Sequence, residues 1–321
     1  MCYNEFGGSM DLDIMIPAYN AKSTLYRTLL SIATQKNCNY YHVFIINDCS
    51  LYDYQEFVQY FSRYMDIKEI KLDKNFGPGK ARSIGIKNSN SKYIMFIDSD
   101  DYLYDANVLD EMCQTIDSSA ADLLVSNFIY ERDGERTIKE NNLVWLHGKI
   151  YRRQFLEENH IDFNSTRANE DNGFNRLILL LNPKIRYLNR ITYVYSENPN
   201  SITRKENRLY KLNGLEGFTY NMNWAIREGI KRNCNIKDAL EVAMMTLVSM
   251  YYYYLELYDE YDVEKIIKWS VDTKKIYDKY NNNYIKEIEI AKMIEMKENE
   301  YQGKNLNKVI DFKEFLNKIS N

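Results

Sequence analysis

The sequence predicts an α/β fold: a mainly parallel central sheet flanked by helices, followed by a C-terminal helical module. Three observations lead there. Short apolar runs without period-2 alternation, at Leu12–Pro17 (LDIMIP), His42–Ile46 (HVFII) and Tyr93–Ile97 (YIMFI), read as strands buried on both faces. Stretches of helical character alternate with them, which predicts parallel pairing through right-handed crossovers. From about Lys205 Gly and Pro become scarce and helix formers dominate, dividing the chain into residues 1–204 and 205–321. A chain of 321 residues has ample material for both parts.

The elements follow in order. After Leu12–Pro17 comes the loop Ala18-Tyr19-Asn20, with Asn20 placed to cap the helix in AKSTLYRTLLSIATQ, whose Leu25, Leu29 and Ile32 share a face. His42–Ile46 ends in Asn47-Asp48-Cys49-Ser50. An amphipathic helix around Asp53–Tyr64 and a third strand around Ile67–Leu72 come next. Asn75 to Arg82 (NFGPGKAR) opens a helix that runs to about Asn88. Gly77 and Gly79 allow close backbone approach, and the helix start offers N–H groups to an anion. The spacing is not that of a P-loop.

The fourth strand, Tyr93–Ile97, stops at Asp98-Ser99-Asp100-Asp101, on the sheet edge that also carries Tyr19 and Asp48. A helix over Asp105–Ser118 and a strand over Asp122–Tyr130 follow, and Asp133-Gly134 marks a hairpin turn. His147–His160 starts irregularly and becomes a helix with a basic first half. Asn169-Glu170-Asp171 opens a helix ended by Asn182-Pro183, and Ile185–Tyr195 reads as two short strands around Asn189-Arg190. In the C-terminal part, Val242–Leu255 reads as a buried helix, too short to span a bilayer core of about 30 Å. Ile285–Met296 is amphipathic and suits a core, a partner or an oligomer interface.

The acidic knot carries the chemistry. With strand geometry continuing through it, Asp98 and Asp100 point to one side, and two carboxylates there repel unless a cation or proton lies between them. Oxygen ligands of this kind suit Mg or Mn bridging to substrate phosphates, at the strand end where open α/β sheets place their ligand crevice. The same acids also suit a solvated turn. Composition narrows the field. Net charge −4 and pI near 5.6 argue against nucleic acid as a partner. Five scattered cysteines and three histidines argue against a disulfide framework or a zinc site and for reduced thiols in a cytosolic protein. The first ten residues lack the pattern of a signal peptide.

Taken together, Leu12 to about Thr203 resembles the family 2 glycosyltransferases with the GT-A fold. IMIPAYN is similar to that family's opening strand and loop. Asn47-Asp48-Cys49-Ser50 resembles its Asp-Asp-Gly-Ser turn, with Asn for the first acid and Cys for the glycine. Asn75-Phe76-Gly77 through Gly85 resembles its Asn-x-Gly…Ala-Arg-Asn-x-Gly stretch, with Ser83 for the second Asn. Asp98-Ser99-Asp100 looks like its metal-binding Asp-x-Asp motif. Gly148 to Arg153 and Asn169-Glu170-Asp171 resemble the second half of its bacterial members.

The resemblance implies roles at matching positions. Pro17 and Tyr19 would border the nucleotide, Tyr19 against the base. Asp48 would accept a hydrogen bond from a uracil-type ring, and Arg82 would line the pocket. Asp98 would sit near the ribose and metal, Asp100 would ligate a divalent ion (Mn or Mg), and Asp171, with Glu170 beside it, would be the catalytic base. Lys149 or Arg153 would support the diphosphate. The implied activity is an inverting, metal-dependent transfer of a sugar from a nucleotide-sugar donor, a UDP-sugar foremost, to a hydroxyl of a cell-envelope glycan, glycolipid or protein. The implied setting is the cytoplasm, extending to the inner membrane face, and the helical module is expected to dock the acceptor or form a homo-oligomer. Two alternatives stand beside this: a nucleotidyltransferase on a similar sheet, and an inactive scaffold that keeps the fold.

Overall fold

The computed structural model describes residues 11–36, 41–198, 208–258, 263–304, 306–307 and 309–320, with the backbone alone for 208–213. Residues 1–10, Cys38 and the expected division at 204/205 lie outside the described residues. The chain forms two compact units, Met1–Arg167 with Pro183–Lys205, and Ala168–Asn182 with Glu206–Asn321. A single cut in the sequence therefore does not separate them: the segment opened by Asn169-Glu170-Asp171 belongs with the C-terminal helices.

The first unit runs β1 (Leu12–Ala18), α1 (Leu25–Ala33), β2 (Tyr41–Asn47), α2 (Gln55–Phe61), β3 (Asp66–Lys71), α3 (Pro78–Asn88) and β4 (Tyr93–Phe96). It continues with β5 (Tyr102–Leu103), α4 (Val108–Ser119), β6 (Leu123–Arg132), β7 (Glu135–Lys139), β8 (Lys149–Arg152) and α5 (Arg153–Glu158), and returns as β9 (Ile185–Tyr195). Among the described residues the strands form one sheet ordered β3-β2-β1-β4-β8-β6-β9-β5, with β7 on β6. Its first half is parallel, as the unbroken apolar runs require: Ile14, Ile16, Val43, Ile45 and Met95 are buried, and helices cover the strands. Beyond β4 the sheet is mixed, with β8 antiparallel to both neighbours and β9 parallel to β6.

Three local readings change. Lys149–Arg152 is a strand, not an irregular lead into a helix, because β4 and β6 pair with it on both sides. Ile185–Tyr195 is one strand: Leu188 pairs with Ser126 and Ile191 with Asn127, so Asn189-Arg190 is a bulge within it. Asn20 does not cap α1, which begins at Leu25; it lies at φ 52° and its side chain accepts a hydrogen bond from Leu51 N at 3.0 Å. The Asp133-Gly134 turn is present, joining β6 to β7 with both residues at positive φ.

The second unit is helical: α6 (Glu170–Leu180), α7 (Arg208–Lys231), α8 (Ile236–Leu257), α9 (Glu264–Tyr280), α10 (Glu287–Glu300) and α11 (Phe312–Ser320). Its core gathers on α8, where Leu240, Ala243, Leu247, Met250 and Tyr254 are buried, as its apolar run predicts. A Cβ on Gly173 would stand 2.6 Å from Asn221 Oδ1, so glycine at this position lets α6 approach α7 without displacing that side chain. Among the described residues no helix is long and apolar enough to cross a membrane.

Candidate active site

The register of the parallel strands builds the site. Ala18 pairs with Asn47 and Met15 with Phe96, so the chain leaves β1, β2 and β4 at one edge of the sheet. Tyr19, Asp48 and the acidic knot all follow these exits. Hydrogen bonds tie the first two loops together. Asn20 N donates to Ser50 Oγ at 2.9 Å, Ala21 N to Tyr54 Oη at 2.9 Å, and Lys22 N to Tyr52 Oη at 2.9 Å. Tyr19 is thereby held with about half of its surface exposed (53%), available to a planar ligand, while Pro17 stays inside β1 opposite Ile46.

Asp48 is buried, and its carboxylate is anchored. Oδ1 accepts from Phe76 N and Oδ2 from Gly77 N, both at 2.8 Å. Asp48 thus joins the β2 exit to the turn before α3, where Gly77 adopts φ 91°. A carboxylate oxygen has more than one lone pair, so these bonds leave it acceptor capacity. The Asn at the preceding position also has a reason. Asn47 Nδ2 donates to Glu69 Oε1 at 2.7 Å and to Tyr52 O at 3.0 Å. An Asp there would bring a second carboxylate against Glu69. Cys49 occupies the left-handed region at φ 61°, the conformation that glycine adopts without strain.

In the knot, Arg82 is buried in α3 and its Nη2 donates to Asp98 Oδ1 at 2.6 Å. Burial opposes the charge on Asp98, but Arg82 outweighs it and holds the carboxyl below its usual range. The other two acids go the opposite way. Burial and the charge of Asp98 push Asp100 up, although Asn198 Nδ2 donates to its Oδ2 at 2.7 Å. Burial, Asp98 and Asp100 push Asp101 well up, although Tyr193 Oη donates to Oδ2 at 2.6 Å and Ser196 N to Oδ1 at 2.8 Å. Among the described residues, the three acids of the knot are thus left with a deficit of positive charge.

A divalent cation fits that deficit. Ligand atoms of Asp98, Asp101 and His147 lie within 4.8 Å of one another. Burial drives the His147 imidazole down to about 3, so it is neutral, the form that binds metal. Two carboxylates and an imidazole suit Mn better than the all-oxygen preference of Mg. Asp101 and His147 were not among the ligands expected from sequence. Asp101 continues the same acidic run, whereas His147 lies far along the chain, and only the fold brings it to β4.

Two expected cations take other places. Lys149 is fully buried, and its ammonium donates to Asn142 O at 2.5 Å and to Trp145 O. It supports the loop before β8 instead of presenting charge to a diphosphate. Arg153 Nε donates to Ser91 O at 2.6 Å, at the amino end of β4 and away from the knot. Glu170 and Asp171 occupy the first turn of α6 in the helical unit, Glu170 buried and Asp171 half-buried.

This arrangement has relatives. Residues 13–169 match the family described as glycosyl transferase family 2. Among curated relatives, glycosyltransferase GlyA of Streptococcus pneumoniae serotype 4 is 25% identical over 223 residues, 60% of this chain and 31% of that protein. The poly(ribitol-phosphate) beta-N-acetylglucosaminyltransferase TarS of Staphylococcus aureus is 26% identical over 204 residues, 58% of this chain and 35% of that one. The chain thus spans about a third of the length of these relatives. Among solved structures, S. aureus TarS 1-349 in complex with UDP-GlcNAc aligns with a TM-score of 0.72 at 18% identity, covering 94% of this chain and 100% of that one. Mannosyltransferase PcManGT from Pyrobaculum calidifontis, in complex with GDP-Man and Mn2+, aligns at 0.53 and 12% identity over 92% and 88%. At such identities structural likeness establishes the fold, the GT-A α/β architecture with helices after it. Residues 13–169, just under half of the chain, are similar to glycosyl transferase family 2.

Proposed function

We propose that the protein transfers a sugar from a UDP-sugar to an acceptor hydroxyl, with inversion at the anomeric carbon. The observation that carries this reading is the under-compensated acidic knot on the same sheet edge as Tyr19 and the anchored Asp48 turn. Tyr19 offers its exposed ring to the base, with Pro17 beneath the loop. Asp48 holds the turn before α3 and keeps acceptor capacity for a uracil-type N–H. Arg82 orients Asp98 toward the ribose side, and Asp98 and Asp100, with Asp101 and His147 adjoining, are the residues to hold a divalent ion. When bound, such an ion offsets charge on the departing diphosphate as a Lewis acid.

Asp171, beside Glu170, takes the proton of the acceptor hydroxyl as that oxygen attacks. Attack from the face opposite the diphosphate inverts the anomeric centre. Base assistance of this kind contributes about 10²–10⁴-fold. TarS, a structural neighbour, is solved with UDP-GlcNAc, which supports a uridine donor. The acceptor is a cell-envelope glycan, glycolipid or protein reached from the cytoplasmic side, and the helical unit docks it or joins copies of the chain.

A donor screen tests the reading: UDP-, GDP-, CMP- and dTDP-sugars are titrated calorimetrically with and without Mn. Metal-dependent binding of one UDP-sugar is expected. Preference for another nucleotide removes the uracil role of Asp48, and binding of none removes the enzyme reading. Release of pyrophosphate from a nucleoside triphosphate would point instead to nucleotidyl transfer.

A further inference from the structure

Next to the knot lies an aromatic cluster that the proposed chemistry leaves unused. Trp145 packs against Tyr130 with ring centroids 5.6 Å apart and edge-on to Tyr195 at 6.0 Å. Phe128 lies 5.7 Å behind it. The Tyr195 ring stands 4.4 Å from His147, whose ring nitrogen belongs to the ligand cluster with Asp98. The wall is therefore continuous with the place proposed for the diphosphate. Phe128 and His147 are buried, but Tyr130, Trp145 and Tyr195 are each only half-buried.

The loop presenting Trp145 is fixed at several points. Asn142 Oδ1 accepts from Val144 N at 3.0 Å and from Trp145 N at 2.8 Å. The buried Lys149 ammonium donates to the carbonyls of Asn142 and Trp145, and Asn141 N donates to Asn127 Oδ1 at 3.2 Å. A buried ammonium that bonds two loop carbonyls fixes the backbone of that loop. It holds one large ring in one place.

We infer that Trp145, with Tyr130 and Tyr195, forms a stacking wall for a pyranose ring. This rests on the sugar-transfer reading and extends it to the sugar itself. The negative π face of an aromatic ring attracts the weakly positive C–H groups on the apolar face of a pyranose, by the quadrupole interaction that orients aromatic pairs. A row of half-buried aromatic rings beside a knot that suits a divalent cation is complementary to a sugar joined to a diphosphate, and equally to an acceptor sugar brought up to it.

The test uses the full chain with Mn and three variants, Trp145→Ala, Trp145→Phe and Tyr195→Ala, each first checked for a cooperative melt. UDP and UDP-GlcNAc are titrated, and UDP release from UDP-GlcNAc is followed with and without free GlcNAc or glucose at millimolar concentration. If the wall holds the donor sugar, Trp145→Ala weakens UDP-GlcNAc about 3- to 10-fold while UDP changes less than about twofold, and Trp145→Phe recovers most of the loss. If it holds the acceptor sugar, both nucleotides bind as in wild type, and only the increment in UDP release from added monosaccharide falls. Equal behaviour of wild type and Trp145→Ala in every arm, with UDP-GlcNAc bound, overturns the wall and leaves sugar transfer standing. Wild-type protein that binds neither nucleotide overturns the uridine-donor reading and, with it, the wall for that sugar.

Discussion

Replacing Asp48 by Asn separates the two tasks that this residue combines. The side chain keeps its size but loses one of its two acceptors. In the present geometry Oδ1 and Oδ2 each accept a backbone N–H at 2.8 Å, from Phe76 and Gly77. In the variant an amide N–H faces one of those N–H groups, in a site only 3% exposed to water. A hydrogen bond to a charged group contributes about 1.5–3 kcal/mol, and a buried donor without a partner costs a similar amount. The expected loss is about 2–3 kcal/mol, or about 4–12 °C in Tm for a unit of this size. Urea unfolding and thermal melting measure it, and UDP titration in parallel reports the nucleotide loop. A variant melting within about 1 °C of wild type would refute the argument that this carboxylate holds the α3 turn. Lost UDP binding at unchanged stability would assign Asp48 to the base alone.

Three further outcomes follow from named groups. Asp171→Asn is expected to lower kcat by about 10²–10⁴-fold with UDP-sugar binding nearly unchanged; a substantially active variant excludes Asp171 as the base. Cys49→Gly releases a left-handed residue at φ 61°, a gain of about 1–2 kcal/mol reduced by about 0.5–1 for the freer unfolded chain. Its Tm should rise by a few degrees at most, and a fall would show that the Cys49 side chain contributes more than its backbone strain removes. Asp13 is buried at the far end of β1; burial raises its carboxyl, but bonds from His42, Ser89 and Ser91 outweigh that and lower it to about 2. Relative to an unfolded value of 3.8 this contributes about 2 kcal/mol, present above pH 3.8 and lost as pH falls through about 2. His42, raised chiefly by its bond to Asp13, adds its share below pH 6.5 and loses it as pH rises through its raised pKa. The stability gap between wild type and Asp13→Asn should therefore be widest near pH 5 and close toward pH 2; a gap that does not vary with pH would exclude this ionisation as its source.

Much of the site was legible along the chain because its parts are local. The strands β1, β2 and β4 announce themselves as apolar runs, and each ends in a short motif. Tyr19, Asp48, Asp98 and Asp100 could thus be placed on one sheet edge from sequence pattern, while Arg82, in α3, was reached through the family resemblance. The misplaced residues are those whose position depends on pairing partners. Lys149 looked like a cation for a phosphate, but β4 and β6 clamp its strand and turn its ammonium inward. Arg153 lies one residue past the end of that strand and at the other end of β4.

By itself, then, the sequence determined the α/β class, the sheet edge that bears the acids and the helical character of the last third. Those depend on periodicity and on motifs a few residues long. Only the tertiary structure brought His147 to Asp98 and Asp101, gave Asn47 its partner in Glu69, gathered the aromatic wall around Trp145, and grouped α6 with the C-terminal helices. Each of these joins residues about 15 to more than 50 positions apart in the chain. Their proximity is set by strand order and helix packing, which no local pattern encodes.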